Sequence, residues 1–253
     1  MAKSTGLGDN LYVGGFNLSG DIGSLGTING GNSPLEVTGI DKFAVERLGG
    51  LRDGALEFTA FFNPSVGRAH DVLSTLPTTD VMVSYFRGTT LGNKAASLIA
   101  KQIDYGGERG DDGSLTFSVD AQANSFGLEW GEQLTSGVDT LTGAGAIAGV
   151  DYGDDVGGVG DDTTNFGLSV YMHVFAFTGT SATVAVQDSN DNAGADPYAN
   201  VVAFSPVSAV GGYRVVSGDT AAVKRWLRVN VTGTFSNLEF AVMVHRRMTA
   251  VTF

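Results

Sequence analysis

The chain has 253 residues, 42% hydrophobic and 17% charged, with 37 glycines, 5 prolines and no cysteine. That apolar content rules out wholesale disorder, and the absent thiols rule out disulfides, thiolate metal sites and a cysteine nucleophile. A net charge of −12 without clustered Lys or Arg excludes a phosphate-neutralising nucleic-acid footprint. The opening residues lead into no apolar run, so no signal peptide is expected, and no stretch of eighteen apolar residues predicts a membrane helix. Dense glycine without a collagen period, together with abundant Val, Thr, Phe and Ser, points to many short strands joined by turns.

In chain order, order begins at Leu11-Tyr12-Val13, and Gly14-Gly15 turns the chain into Phe16-Asn17-Leu18. Leu35 to Thr38 alternates apolar and polar, as a half-buried strand does. From Thr38 to Gly54 the segment mixes Asp41, Lys42, Glu46, Arg47, Arg52 and Asp53, which predicts an exposed loop or protruding hairpin. Ala55 to Phe62 is a strong strand, with Leu56, Phe58 and Ala60 on one face. A helix is predicted over Val66–Leu76, capped by Ser65 and ended by Pro77. Strands follow at Asp80–Arg87, Ala95–Tyr105 and Ser114–Ala123, the last two separated by the turn-rich Gly106–Gly113.

From 136 to 164 the periodicity lapses. That segment holds most of a run, 131 to 165, with seven acids and no base, and it reads as a flexible linker. The expected organisation is therefore a β domain over 1–135, an acidic glycine-rich linker over 136–164, and a second β domain over 165–253. In the second domain Phe166–Phe177 is one strand and Thr183–Gln187 another, after a Gly-Thr-Ser turn; Tyr213–Ser217, Lys224–Val231 and Leu238–His245 complete the series. Recurrent strands without a convincing helix predict a β-sandwich or jelly roll. Phe175 and Phe177 are expected on one face of their strand.

The chemical inventory predicts no enzyme, no cofactor and no metal. His70, His173 and His245 form no ligand motif, and no nucleophile elbow, phosphate loop or dinucleotide fingerprint is present. Asp188 to Gly194 resembles a calcium loop, but its glycine comes one residue late and Ala199 stands where a bidentate Glu should close it. It is read as a solvated hairpin tip. Among the aromatic residues of the second domain, Tyr198 beside Pro197 is the one expected to be exposed to a ligand, a glycan being the class that stacks on flat rings.

Several runs resemble the tail tube proteins of long-tailed siphophages, particularly those of actinobacterial hosts. They are Tyr12 to Gly20, Gly49 to Asn63, Ala69 to Ser74, Tyr85 to Gly88, Asp112 to Gln122 and Gly127 to Gly131. Their order and spacing, over about the first 135 residues, carry the similarity. It implies a tail-tube-like β-sandwich or barrel with one flanking helix. It also implies subunits closing into hexameric rings, and rings stacking into a virion tube assembled in the host cytoplasm with other tail proteins. DNA would pass through its lumen without specific binding. Thr178 to Val184 and Lys224 to Val229 resemble, more loosely, the jelly-roll-like modules that such proteins carry outside the tube. On this reading the second domain is dispensable for assembly, and Lys42, Glu46, Arg47, Arg52 and Asp53 contact the next ring. The competing reading is a carbohydrate-binding or decoration module on a phage head or fibre.

Overall fold

A computed structural model describes residues 5–153 and 163–250. The fold is all-β with one α-helix. Its strands are β1 (Asn10–Val13), β2 (Phe16–Asn17), β3 (Ile22–Glu36), β4 (Arg47–Phe61), β5 (Val81–Phe86), β6 (Lys94–Gln102), β7 (Gly106–Arg109) and β8 (Leu115–Ala123). After them come β9 (Glu129–Gln133), β10 (Asp139–Leu141), β11 (Gly145–Ala146), β12 (Val150–Asp151), β13 (Leu168–Ser189), β14 (Ala199–Ala203), β15 (Gly211–Val216) and β16 (Trp226–Arg246). The helix, α1, spans Ala69–Leu73.

Contacts divide the chain into two compact units. Of the described residues, the first unit takes those in Met1–Ser19, Ser84–Ser97 and Trp130–Thr252, and the second takes Gly20–Val83 and Leu98–Glu129. This division differs from the one expected at 136–164. Three short strands of that segment, β10, β11 and β12, pair with β16, placing Thr140 opposite Glu239, Gly145 opposite Val231 and Val150 opposite Leu227. Low hydrophobicity there reflects edge strands lying on a larger sheet. Residues 154–162, the most acidic stretch of the expected linker, lie outside the described residues.

The first unit is organised by two very long antiparallel strands, β13 and β16, paired from Leu168–Arg246 to Ser189–Trp226. The turn expected at Gly179-Thr180-Ser181 is a bulged kink inside β13, with register shifts at Val174/Ala176, Thr178/Gly179 and Gly179/Ser181. Gly179 sits at φ 154°, and a Cβ there would lie 2.4 Å from the Cα of Phe235. The shift at Val174/Ala176 leaves Phe175 itself unpaired and so reverses which side chains point inward beyond it. Phe175 consequently packs beside Tyr12 and His173, whereas Phe177 packs against the main core, so the two do not share a face. Both halves of the kinked hairpin feed one core: Val170, Met172 and Val174 from one half, Val184 and Val186 from the other, with Val229, Phe240 and Val242 from β16. Near-continuous apolar runs such as Val170 to Phe177 belong to strands covered on both faces. Here the second face of β13 is covered too, by Tyr12, which is itself fully buried against Phe86, Phe175 and His173.

In the second unit β7, β8, β4 and β3 pair in that order, all antiparallel, and β6 joins β8 beyond β7 through Ala100–Ala123. Alternation predicts this core correctly: Leu56, Phe58 and Ala60 are buried, as are Val119 and Ala121 on the facing strand. The helix is shorter than its apolar spacing predicts. Gly67 takes φ 71° and Leu76 φ 43°, both left-handed, so neither end of the predicted span can continue a right-handed helix. Ser65 does not cap it. The cap comes from Asp21, distant in sequence, whose carboxylate accepts from Ala69 N (3.1 Å), Arg68 Nη2 (2.7 Å) and Asn63 Nδ2 (2.9 Å). Burial alone would raise the Asp21 carboxyl; the bonds from Asn63, Arg68 and Ala69 outweigh it and hold it below the usual carboxylate range. Among the described residues no helix is long and apolar enough to cross a membrane.

Candidate functional site

Beyond the sheet of the second unit, β3 and β4 continue as a two-stranded ribbon. The β8 ladder on β4 ends at Ala55–Gln122, whereas β3 pairs β4 on through Gly30–Gly54 and Asn32–Arg52 to Glu36–Arg47. The base of this arm is clamped by close backbone approach. A Cβ on Gly54 would come within 2.6 Å of Leu128 N, and one on Gly30 within 2.9 Å of Leu128 Cβ. The tip folds on itself: Val37 N donates to Glu46 O (2.9 Å), Glu46 N to Thr38 Oγ1 (3.0 Å) and Lys42 N to Gly39 O (3.1 Å).

The five charged residues expected to contact another ring all lie on this arm and are all exposed. They are not gathered into one patch. Lys42 Nζ pairs with Glu46 Oε1 at 3.3 Å within the tip. Arg47 stands across from Glu36, whereas Arg52 and Asp53 stand further down β4, opposite Asn32 and Gly31, with Asp53 Oδ1 accepting from Gly54 N (2.8 Å). The charge reading passed over the apolar residues interleaved with them. Ile40 and Phe43 are fully exposed at 109% and 108%, and Leu51 is 85% exposed. Their signal was present in the sequence as large apolar side chains in a segment too polar to be core.

The solvent face of the same sheet is acidic. Glu57 lies directly opposite Asp120, an arrangement of like charges that costs stability. Thr27 Oγ1 donates to Glu57 Oε2 (3.0 Å), Gln122 Nε2 to Asp120 Oδ2 (2.8 Å), and Asp120 N to Asp104 Oδ1 (2.9 Å). The three carboxylates border a cavity of ≈ 300 Å³ together with Thr59 and Ser118. Lys101, across from Gln122, is tied to Asp80 at 2.8 Å.

No protein-family model matches the sequence, and no curated protein matches it. Among solved structures, the chain is similar to the Dit protein (gp 19.1) of phage SPP1, described as a paradigm of the hub adsorption apparatus in phages infecting Gram-positive bacteria. The TM-score is 0.31 with 10% identity over 94% of this chain and 98% of that one. It is also similar to a chain of the phage p2 baseplate in its activated conformation. With strontium the TM-score is 0.32 at 10% identity, and with calcium 0.31 at 11%, each over 96% of this chain and 99% of the other. TM-scores near 0.3 fall below what a shared topology gives, so these likenesses carry nothing about function.

The histidines stay apart. His70 Nδ1 lies 3.0 Å from Tyr105 Oη, and His245 Nδ1 donates to Trp130 O (2.6 Å). His173 is buried, and its Nδ1 accepts from Gly15 N (3.2 Å) while its Nε2 lies 2.8 Å from Ser84 Oγ. Because Nδ1 accepts, the neutral ring carries its proton on Nε2 and donates it to Ser84, whose Oγ also shares a hydrogen bond with Ser97 Oγ at 2.7 Å. A ring that donates to a serine cannot remove its proton, so the triplet resembles a Ser–His nucleophile only in composition. Burial pushes the His173 pKa down to about 3.

Around Asp191 the carboxylate oxygens accept from Gly194 N (2.9 Å) and Asp196 N (3.1 Å), and Asp196 in turn holds Lys224 Nζ at 2.7 Å. These oxygens are occupied by the loop's own donors. Among the described residues no group of three or more His, Cys, Asp or Glu has metal-binding geometry. Tyr198 is half-buried: the Arg228 guanidinium lies 3.9 Å over its ring, and its hydroxyl donates to Asn192 Oδ1 (2.7 Å).

Proposed function

We propose that this chain is a non-catalytic structural protein of a long-tailed phage, assembling with copies of itself into rings of the tail tube. The single observation that carries this reading is the sheet of the second unit, whose outer strands, β3 and β7, each pair on one side only among the described residues. A 15-residue edge strand such as β3 exposes a long row of unpaired backbone donors and acceptors, which monomeric proteins avoid. Along the path β3, β4, β8, β7 the strands alternate in direction, so the free edges of β3 and of the four-residue β7 run oppositely. Copies related by simple rotation can therefore set β3 against the next copy's β7 and keep every ladder antiparallel, which is the condition for a closed ring.

The sequence similarity to tail tube proteins supports this reading and suggests six copies. The acidic face bearing Glu57, Asp104 and Asp120 suits a lumen, because carboxylates repel DNA phosphates where lysine or arginine would hold them. Negative-stain imaging of the purified full-length chain, with its mass measured by light scattering, tests the proposal. Rings or stacked tubes are expected; a chain that remains monomeric at every concentration and salt condition would overturn it.

A further inference from the structure

Fully exposed Ile40 and Phe43 occupy a tip that is already held by its own hydrogen bonds. Leu51 and the half-exposed Leu35, Val45 and Leu48 add further apolar side chains along the arm. Two large apolar side chains held together at one ordered tip make a compact anchor, which pairing along the β3 edge would complete into an interface. A tip ordered before docking also spends less entropy on association.

Charge identifies the mode of contact. The whole chain carries −12, so two copies repel one another, and the tip's own lysine is paired to Glu46. Apolar burial, not ion pairing, has to hold such copies together. The tip is also continuous with the free edge of β3, so a copy that pairs with that edge lies within reach of it.

We propose that Ile40 and Phe43 form an apolar anchor that docks into a second copy of this chain, making the arm contact hydrophobic rather than ionic. The inference rests on the assembly reading above. Full-length protein should therefore assemble as well or better when salt rises from about 0.05 to about 1 M, because screening weakens the repulsion between copies. The double variant Ile40→Ser, Phe43→Ser should keep the wild-type melting curve yet need at least tenfold more protein to assemble, by sedimentation velocity. A Phe43→Cys variant, whose cysteine is unique in the chain, should show a blue shift from an attached environment-sensitive dye on assembly. Assembly of the double variant at the wild-type concentration, a dye that stays in water, or tubes that dissolve at high salt would each overturn the anchor while leaving the ring reading intact. A wild-type chain that never associates fails before any variant is made and removes both.

Discussion

Asp21 shows how much one side chain can organise. Its carboxylate supplies the helix cap that Ser65 does not, and it anchors Arg68 and Asn63 in the same place. Asp21→Ala should destabilise the second unit by about 2–4 kcal/mol, because bonds to a charged acceptor are stronger than neutral ones and their donors lose their partner. Both tryptophans, Trp130 and Trp226, fall in the first unit, so this loss should appear in a calorimetric transition to which tryptophan fluorescence is blind. His173 gives the opposite readout. Its unfolded ring binds a proton near pH 6.5, whereas the buried ring resists until about 3. Between those values the unfolded state holds the extra proton, so the His173 contribution to stability falls as pH is lowered, by roughly 1 kcal/mol per pH unit, and is constant above the window. His173→Gln should flatten that slope in urea titrations followed by tryptophan fluorescence at pH 7 and pH 5; an unchanged slope would assign the acid sensitivity to other groups.

At the scale of elements, Gly179 decides whether β13 can kink. A side chain there meets the Phe235 backbone at 2.4 Å under a left-handed φ, so Gly179→Ala should cost about 2–4 kcal/mol in the first unit, checked by the same fluorescence titration. The kink also explains what the sequence left hidden. Alternation marked Ala55–Phe62 correctly, because that strand covers a core on one face only, whereas of Leu115, Phe117 and Val119 only Val119 is buried. It read the Gly-Thr-Ser run as a turn because a bulge and a turn use the same small residues. Strand β3 went largely unseen: Gly23, Gly26, Gly30 and Gly31 leave it without apolar alternation, and its partner β4, not its own side chains, makes it a strand. The arm's charges were legible; its apolar residues were discounted because local composition says nothing about where a core ends.

For the whole molecule, the two-unit division changes what a truncation should do. A second domain beginning at 165 would be removable, and the first 135 residues would assemble without it. Instead β9 pairs with β16 through Gln133–Met243, and Gly15 donates to His173, so the first unit needs both ends of the chain. A chain ending at Thr135 should lose the first unit and accumulate as insoluble or proteolysed material; soluble, cooperative folding of that fragment, followed by circular dichroism, would contradict this division.

The central position of β16, between β13 and β9, has a consequence for the order in which the polypeptide is made. Residues 20–129 contain every segment of the second unit, so that unit's sheet, free edge included, is complete early in translation. The first unit must wait for residues 226–246, about a hundred residues later, because its main core has no closing strand until they leave the ribosome. Ladders joining such distant stretches form slowly, and neighbouring nascent chains on one polysome carry exposed edges in the meantime. Translation speed over the codons for residues 130–246, rather than final stability, should thus govern how much of this protein reaches its native state.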